Sequence, residues 1–208
     1  YTIPGFHDLS LRWEQFNDAM KNGNTERIGQ THEQTDYLAS LEPIVKTYED
    51  IKKDPGFRLR VIHHDTKINN VLFDHADKGI CVIDLDTVMP GYFISDVGDM
   101  MRTYLSPADE EVTEFDRIAI RSDFFEAIVE GYLEYMAPEL SDSEKSKFFY
   151  AGEFIIYMQA LRFMTDYLNN DRYYGAKYEK HNLNRAINQI TLLKSLKEKE
   201  NELQQIIR

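Results

Sequence analysis

The chain has 208 residues, enough for one domain with a sizeable core or two small ones, and 13 Tyr and 12 Phe supply bulky packing material. Asp and Glu outnumber Lys and Arg by 36 to 24, a formal net charge of −12 with no basic stripe for a phosphate backbone, so nucleic acid is excluded as the expected partner. No apolar run reaches the roughly 18 residues of a membrane span, no signal-peptide pattern opens the chain, and the lone Cys81 has no partner for an internal disulfide, so a cytoplasmic, reducing setting is expected.

In chain order, Pro4-Gly5 marks a turn, and Asp8 or Ser10 can cap a helix carrying Leu11, Trp13, Phe16 and Met20, ended by Asn22-Gly23. Thr25 is expected to cap a second helical region running to about Asp54. There Leu38, Leu41, Ile44, Val45, Tyr48 and Ile51 recur every three or four residues, with Pro43 as the point of a kink or split. A small β insert over about 59–86 follows. Its apolar runs are Val61-Ile62, Val71 to Phe73 and Ile80 to Ile83, rich in β-branched residues and separated by turn formers. Residues 87–94 read as a loop around Pro90-Gly91, and a short helix starts near Ser95.

Residues 108–117 read as an acidic surface loop or weak helix. Three long helices are expected over about 122–136, with Ser122 as its cap, 143–169, entered through a Ser141-x-x-Glu144 capping box, and 180–207. The last ends in KEKENELQQIIR, charged enough to be expected solvated or frayed. The fold class is therefore predominantly helical α+β.

Within and beside the insert sit His63, Asp65, Lys67, Asn70 and Asp84. Phosphoryl transfer asks a protein mostly for positioning and charge neutralisation: a carboxylate to take the proton of the attacking hydroxyl, oxygen ligands for Mg²⁺, and a cation near the transferred phosphate. Asp65, Lys67, Asn70 and Asp84 supply that inventory on a stiff frame. A tight turn brings a strand's end back beside its neighbour's start, so Asn70 and Asp84 can share one metal.

His63 to Asn70 fits the pattern His-x-Asp-x-x-x-x-Asn, and Val82-Ile83-Asp84-Leu85-Asp86 fits the Ile-Asp metal-binding motif that follows it. Together they resemble the aminoglycoside phosphotransferase and choline kinase superfamily, whose fold is similar to that of eukaryotic protein kinases. The wording HHDTKINNVLFD, VIDLDTVMPG, GDMMR, RFMTDYLNND and HNLNRAINQ is similar, more narrowly, to bacterial N-acetylhexosamine 1-kinases.

The resemblance implies a single C-terminal catalytic lobe over 1–208, with ATP as phosphoryl donor and Mg²⁺ as cofactor. It implies Asp65 as base, Lys67 on the transferred phosphate, Asn70 and Asp84 on the metal, and Thr87, Arg162 and Tyr173 on a sugar acceptor. His63, Asp96, Asp99 and Arg102 are expected to support the loop, with one acid capping it and the other pairing with Arg102. The N-terminal nucleotide-binding lobe, with its Gly-rich loop and strand lysine, is not represented in the chain. The lobe alone is accordingly expected to be inactive or nearly so, and to expose an apolar face near residues 63–93.

The expected reaction of the complete enzyme is transfer to the anomeric hydroxyl of N-acetylglucosamine or N-acetylgalactosamine. Other acceptors stay open on the residues alone: an aminoglycoside, choline or another amino alcohol. So does a non-catalytic kinase-like binding domain. Sulfatase-type hydrolysis does not fit, because Cys81 is followed by Val82-Ile83-Asp84-Leu85 rather than x-Pro-x-Arg.

Overall fold

The computed structural model describes residues 1–207. One helix organises them. Helix α8 (Phe148–Leu168) is apolar almost all round, and such a helix must be buried on every side. Helices α1 (Leu9–Asn22), α5 (Ile94–Tyr104) and α9 (His181–Glu198) pack against it. α5 comes closest at Gly98, where a Cβ would lie 2.2 Å from the carbonyl oxygen of Ala151. The backbones touch there because no side chain separates them.

The stretch expected as one helical region from Thr25 to Asp54 is three helices: α2 (Thr25–Gln30), α3 (His32–Ser40) and α4 (Glu42–Lys53). Its cap is Asn24, whose side chain accepts from the Arg27 amide at 3.1 Å, while Thr25 is already helical. Pro43 lies in the first turn of α4, where a missing N–H goes unneeded, so the proline starts a helix rather than kinking one. Two buried tyrosines tie this layer to α8. The Tyr157 hydroxyl donates to the Leu38 carbonyl and that of Tyr150 to the Ile44 carbonyl, each at 2.8 Å.

The β insert is two separate antiparallel pairs rather than a three-strand run. Strand β1 (Arg60–Ile62) pairs with β4 (Met89–Gly91), and β2 (Val71–Phe73) pairs with β3 (Gly79–Val82) through an irregularity at Leu72/Phe73. Strand β4 falls where a Pro-Gly loop was expected. In a two-stranded ribbon Pro90 can leave its missing N–H on the open edge. Gly91 is required, because a Cβ there would lie 2.5 Å from Cε1 of His64 and 2.6 Å from Cδ1 of Ile62.

Helix α6 (Ser122–Met136) begins at Ser122, but Arg121 holds the cap position and no side chain caps it. The capping box expected before residue 143 is present, with Ser141 and Glu144 each bonding the other's amide. It opens a four-residue helix, α7 (Asp142–Lys145), distinct from α8. The expected frayed tail is helical as well. In α10 (Glu200–Ile206) Leu203 is fully buried, because the charged run still places an apolar side chain toward α6 and α8.

The β2–β3 hairpin stands open on both faces: Leu72 is 44%, Phe73 47%, Ile80 62% and Val82 52% exposed. Leu85 beyond it is 61% exposed. Among the described residues no helix is long and apolar enough to cross a membrane.

Gly98→Ala should overpack the α5–α8 contact, since the obstructing atom belongs to backbone. A loss of about 1–3 kcal/mol or more in unfolding free energy is expected by urea titration.

Candidate active site

The site grows from the turn after β1. His64 adopts a left-handed backbone (φ 68°), which few non-glycine residues do without support. The support comes from α5: Asp96 accepts from the His64 amide at 2.7 Å and from the His63 amide at 3.0 Å. The Asp96 carbonyl in turn accepts the Thr66 hydroxyl at 2.8 Å. His63 completes the frame: its Nε2 lies 3.0 Å from the Ile83 carbonyl, and its Nδ1 accepts from the Asp65 amide at 3.3 Å. Bonded at both nitrogens, the imidazole spans the two loops.

Held this way, Asp65 is half-buried, and Oδ2 takes both side-chain contacts. Lys67 Nζ donates to it at 2.8 Å and Asn70 Nδ2 at 2.9 Å, while Asn70 Nδ2 also reaches the Asp65 carbonyl at 2.8 Å. The hydrogen bond to Asp65 holds the Lys67 ammonium above its ordinary pKa, keeping it charged.

Asn70 closes a 3-10 turn (Ile68–Asn70), and its carbonyl accepts from the Ile83 amide at 2.9 Å. Asp84 is therefore one residue beyond a hydrogen-bonded partner of Asn70. It too has a left-handed backbone (φ 64°), is exposed, and makes no capping hydrogen bond. The Asn70 amide spends its nitrogen on Asp65, which leaves the side-chain oxygen and the Asp84 carboxylate as hard donors. That donor set suits Mg²⁺. Among the described residues no group of three or more His, Cys, Asp or Glu forms a metal cluster, so any ion here would rest on two protein ligands plus phosphate and water.

Asp65 and Lys67 open onto a cavity of about 520 Å³, whose opposite wall comes from α8 and α9. Arg162 lines it, bonded to Gln159 Oε1 at 3.1 Å and lying over the rings of Phe6 and Tyr174 at 5.5 and 5.4 Å. Asp99 and Arg102 line it as an ion pair at 2.9 Å. Burial pushes the Asp99 carboxyl up, and Arg102 opposes that push.

Thr87 and Tyr173 are elsewhere. Thr87 is buried and donates its hydroxyl to the His63 carbonyl at 2.7 Å. Tyr173 is 73% exposed and lines an adjacent cavity that shares Arg162 and Tyr174.

The larger cavity also holds residues the sequence reading did not single out: Glu110, Arg185, Asn188 and Gln189. Glu110 bridges two guanidiniums, accepting from Arg102 at 2.7 Å and from Arg185. Three of its lining side chains keep a buried polar atom without a protein partner, His64 Nε2, Asp99 Oδ2 and Gln189 Oε1, while Arg185 Nε lies 3.5 Å from Glu111 Oε1. Unpaired buried polar atoms are rare, and their convergence on one cavity marks where a polar ligand fits. One signal was available. Asn188-Gln189 is a polar pair set between the apolar positions Ile187 and Ile190 of α9, and both of its residues are buried.

A protein-family model described as the phosphotransferase enzyme family matches residues 3–137. The match takes in β1 to α6, and with them Asp65, Lys67, Asn70 and Asp84. It ends before α8 and α9, which build the far wall of the cavity.

Burial pushes the Glu110 carboxyl up, but Arg102 and Arg185 outweigh it and hold the group below its ordinary value of 4.5. A carboxyl depressed by folding contributes stability at neutral pH and loses it as pH falls through the folded-state value, below 4.5. Glu110→Gln should therefore lower Tm at pH 7 and shrink the further loss between about pH 5 and pH 3. Thermal melts across that range check both.

Proposed function

We propose that this chain, which belongs to the phosphotransferase enzyme family, carries the acceptor side of an ATP-dependent kinase that phosphorylates a hydroxyl of a neutral, polyhydroxylated small molecule. The observation that carries this reading is the Asp65 carboxylate at the mouth of the 520 Å³ cavity, with Lys67 and Asn70 both on Oδ2. In the proposal Oδ1 is the oxygen turned to the acceptor, where it takes the hydroxyl proton as attack proceeds.

The two contacts on Oδ2 fix the carboxylate's rotation, so the base is aimed before the acceptor arrives. Lys67 would exchange part of its contact with Asp65 for the transferred phosphate, spreading positive charge where negative charge develops. Asn70 and Asp84 are the residues proposed to hold Mg²⁺, which when bound neutralises the phosphates of ATP. The open apolar faces of the β2–β3 hairpin and Leu85 are proposed to meet the nucleotide and an N-terminal lobe in the complete enzyme.

The cavity's charges favour a neutral acceptor. Asp65 is paired with Lys67, Asp99 with Arg102, and Glu110 with Arg102 and Arg185, while one cation, Arg162, and one acid, Asp109, form no ion pair among the described residues. With acids and cations in balance, the walls offer no net attraction to a cationic amino alcohol or aminoglycoside. A sugar, whose hydroxyls donate and accept in alternation, could instead satisfy Asp99 Oδ2 and Gln189 Oε1. We assign the acceptor as an N-acetylhexosamine, phosphorylated at the anomeric hydroxyl. Supporting this are the likeness of residues 84–91 and 162–171 to N-acetylhexosamine 1-kinases and the position of Arg162 on the cavity wall. Tyr173 would close over the acceptor from the adjacent cavity, and Thr87 would act through the His63 carbonyl it holds.

Incubating the full-length protein with MgATP and N-acetylglucosamine or N-acetylgalactosamine should yield the sugar 1-phosphate, read by phosphorus NMR. Asp65→Asn should reduce kcat by about 10²- to 10⁴-fold with little change in acceptor binding. No sugar 1-phosphate, or turnover indifferent to Asp65→Asn, overturns the assignment. Asn70→Ala or Asp84→Ala should instead raise the Mg²⁺ concentration needed for half-maximal rate, and a metal titration of each variant reads this directly.

A further inference from the structure

Beside the acceptor cavity lies a second one of about 480 Å³, sharing Arg162 and Tyr174 and walled further by Arg12, Thr165, Asp166 and Arg172. Two carboxylates stand on its walls: Asp18, which is exposed and bonded only by the Asn22 amide at 2.7 Å, and Asp166, which is already committed. Asp166 Oδ1 accepts from the Tyr173 amide at 2.7 Å, and Oδ2 from the Tyr174 amide at 2.9 Å and Asn182 at 3.1 Å. Its cations are not. Arg12 bonds only neutral oxygens, those of Gln15, Gly5 and Phe6, and Arg162 bonds only Gln159. Arg172 is exposed and forms no ion pair among the described residues. Two buried polar atoms on these walls lack any partner, Arg12 Nε and Thr165 Oγ1, and both are hydrogen-bond donors.

Burial lowers the Arg12 pKa and the positive charge of Arg162 lowers it further, a push that Asp8 opposes only in part. Three arginines around one cavity thus have no carboxylate within ion-pair distance among the described residues. An oxyanion resolves the arrangement: guanidiniums match phosphate in forked pairs, and a threonine hydroxyl adds a third donor.

We propose that the second cavity is a phosphate subsite, in which Arg12 Nε, Thr165 Oγ1 and the guanidiniums of Arg162 and Arg172 bind a phosphate group. Its room beyond a bare phosphate, and its shared wall with the acceptor cavity, admit a phosphate carried on a sugar as well as the free ion. The subsite goes beyond the phosphotransfer reading and makes no use of Asp65, ATP or metal.

Calorimetric titration without nucleotide tests it, using inorganic phosphate, glucosamine 6-phosphate and N-acetylglucosamine as probes. Both phosphates should bind saturably, and Arg12→Gln should weaken them about tenfold or more. Because Arg12 also holds the carbonyls of Gly5 and Phe6, Arg172→Gln is the second variant; its side chain has no such bonds, and it should weaken the same two probes while leaving N-acetylglucosamine unaffected. Tighter binding of the sugar phosphate than of inorganic phosphate supports a subsite for a phosphorylated acceptor, and equal binding supports one for the free ion. Absence of saturable phosphate binding, or binding indifferent to both substitutions, overturns it, whatever the outcome of the turnover assay.

Discussion

The Asp96 carboxylate joins the catalytic loop to the helical body. Its two oxygens take the amides of His63 and His64, its own carbonyl takes the Thr66 hydroxyl, and it sits in the first turn of α5. The positive end of the helix dipole favours a carboxylate there. Those bonds sustain the left-handed turn at His64, and that turn aims Asp65 into the cavity. Helix α5 is itself locked to α8 through the bare backbone of Gly98. The position of the proposed base is thus set by a chain of short contacts ending in the most buried helix of the protein.

Charge is distributed around this frame in two ways. Along the acceptor cavity most acids and guanidiniums are matched, Asp99 with Arg102 and Glu110 with Arg102 and Arg185, while Asp109 and Arg162 form no ion pair among the described residues. Matching offsets part of the desolvation these charges undergo on burial, and it leaves single atoms, rather than whole charges, free for a ligand. Beyond Arg162 the matching stops: Arg12, Arg162 and Arg172 form no ion pair among the described residues, and the nearby Asp18 and Asp166 accept from neutral N–H donors. One stretch of wall accordingly suits neutral hydroxyls and the next suits an anion.

Much of the fold was legible in the sequence because helical periodicity is a local property. The apolar stripes of α1, α4, α6 and α9 follow from spacing alone, as does the capping box of Ser141 and Glu144. The departures are tertiary in origin. Strand β4 exists because β1 offers an edge and Gly91 leaves room for His64, neither of which Pro90-Gly91 announces by itself. The charged tail stays helical because Leu203 finds a buried seat against α6 and α8.

By itself the sequence determined which chemistry is available. The spacing of His63, Asp65, Lys67, Asn70 and Asp84 is carried by one short stretch, so its local geometry follows from a turn and a hairpin. What only the tertiary structure decided is what that chemistry faces. Arg162, Arg185 and Gln189 lie about a hundred residues or more downstream of Asp65, on helices whose own periodicity says nothing of which polar side chain turns toward the loop. Their convergence depends on how α8 and α9 pack, a long-range outcome of core burial, and so the walls of the site became visible only once the chain was folded.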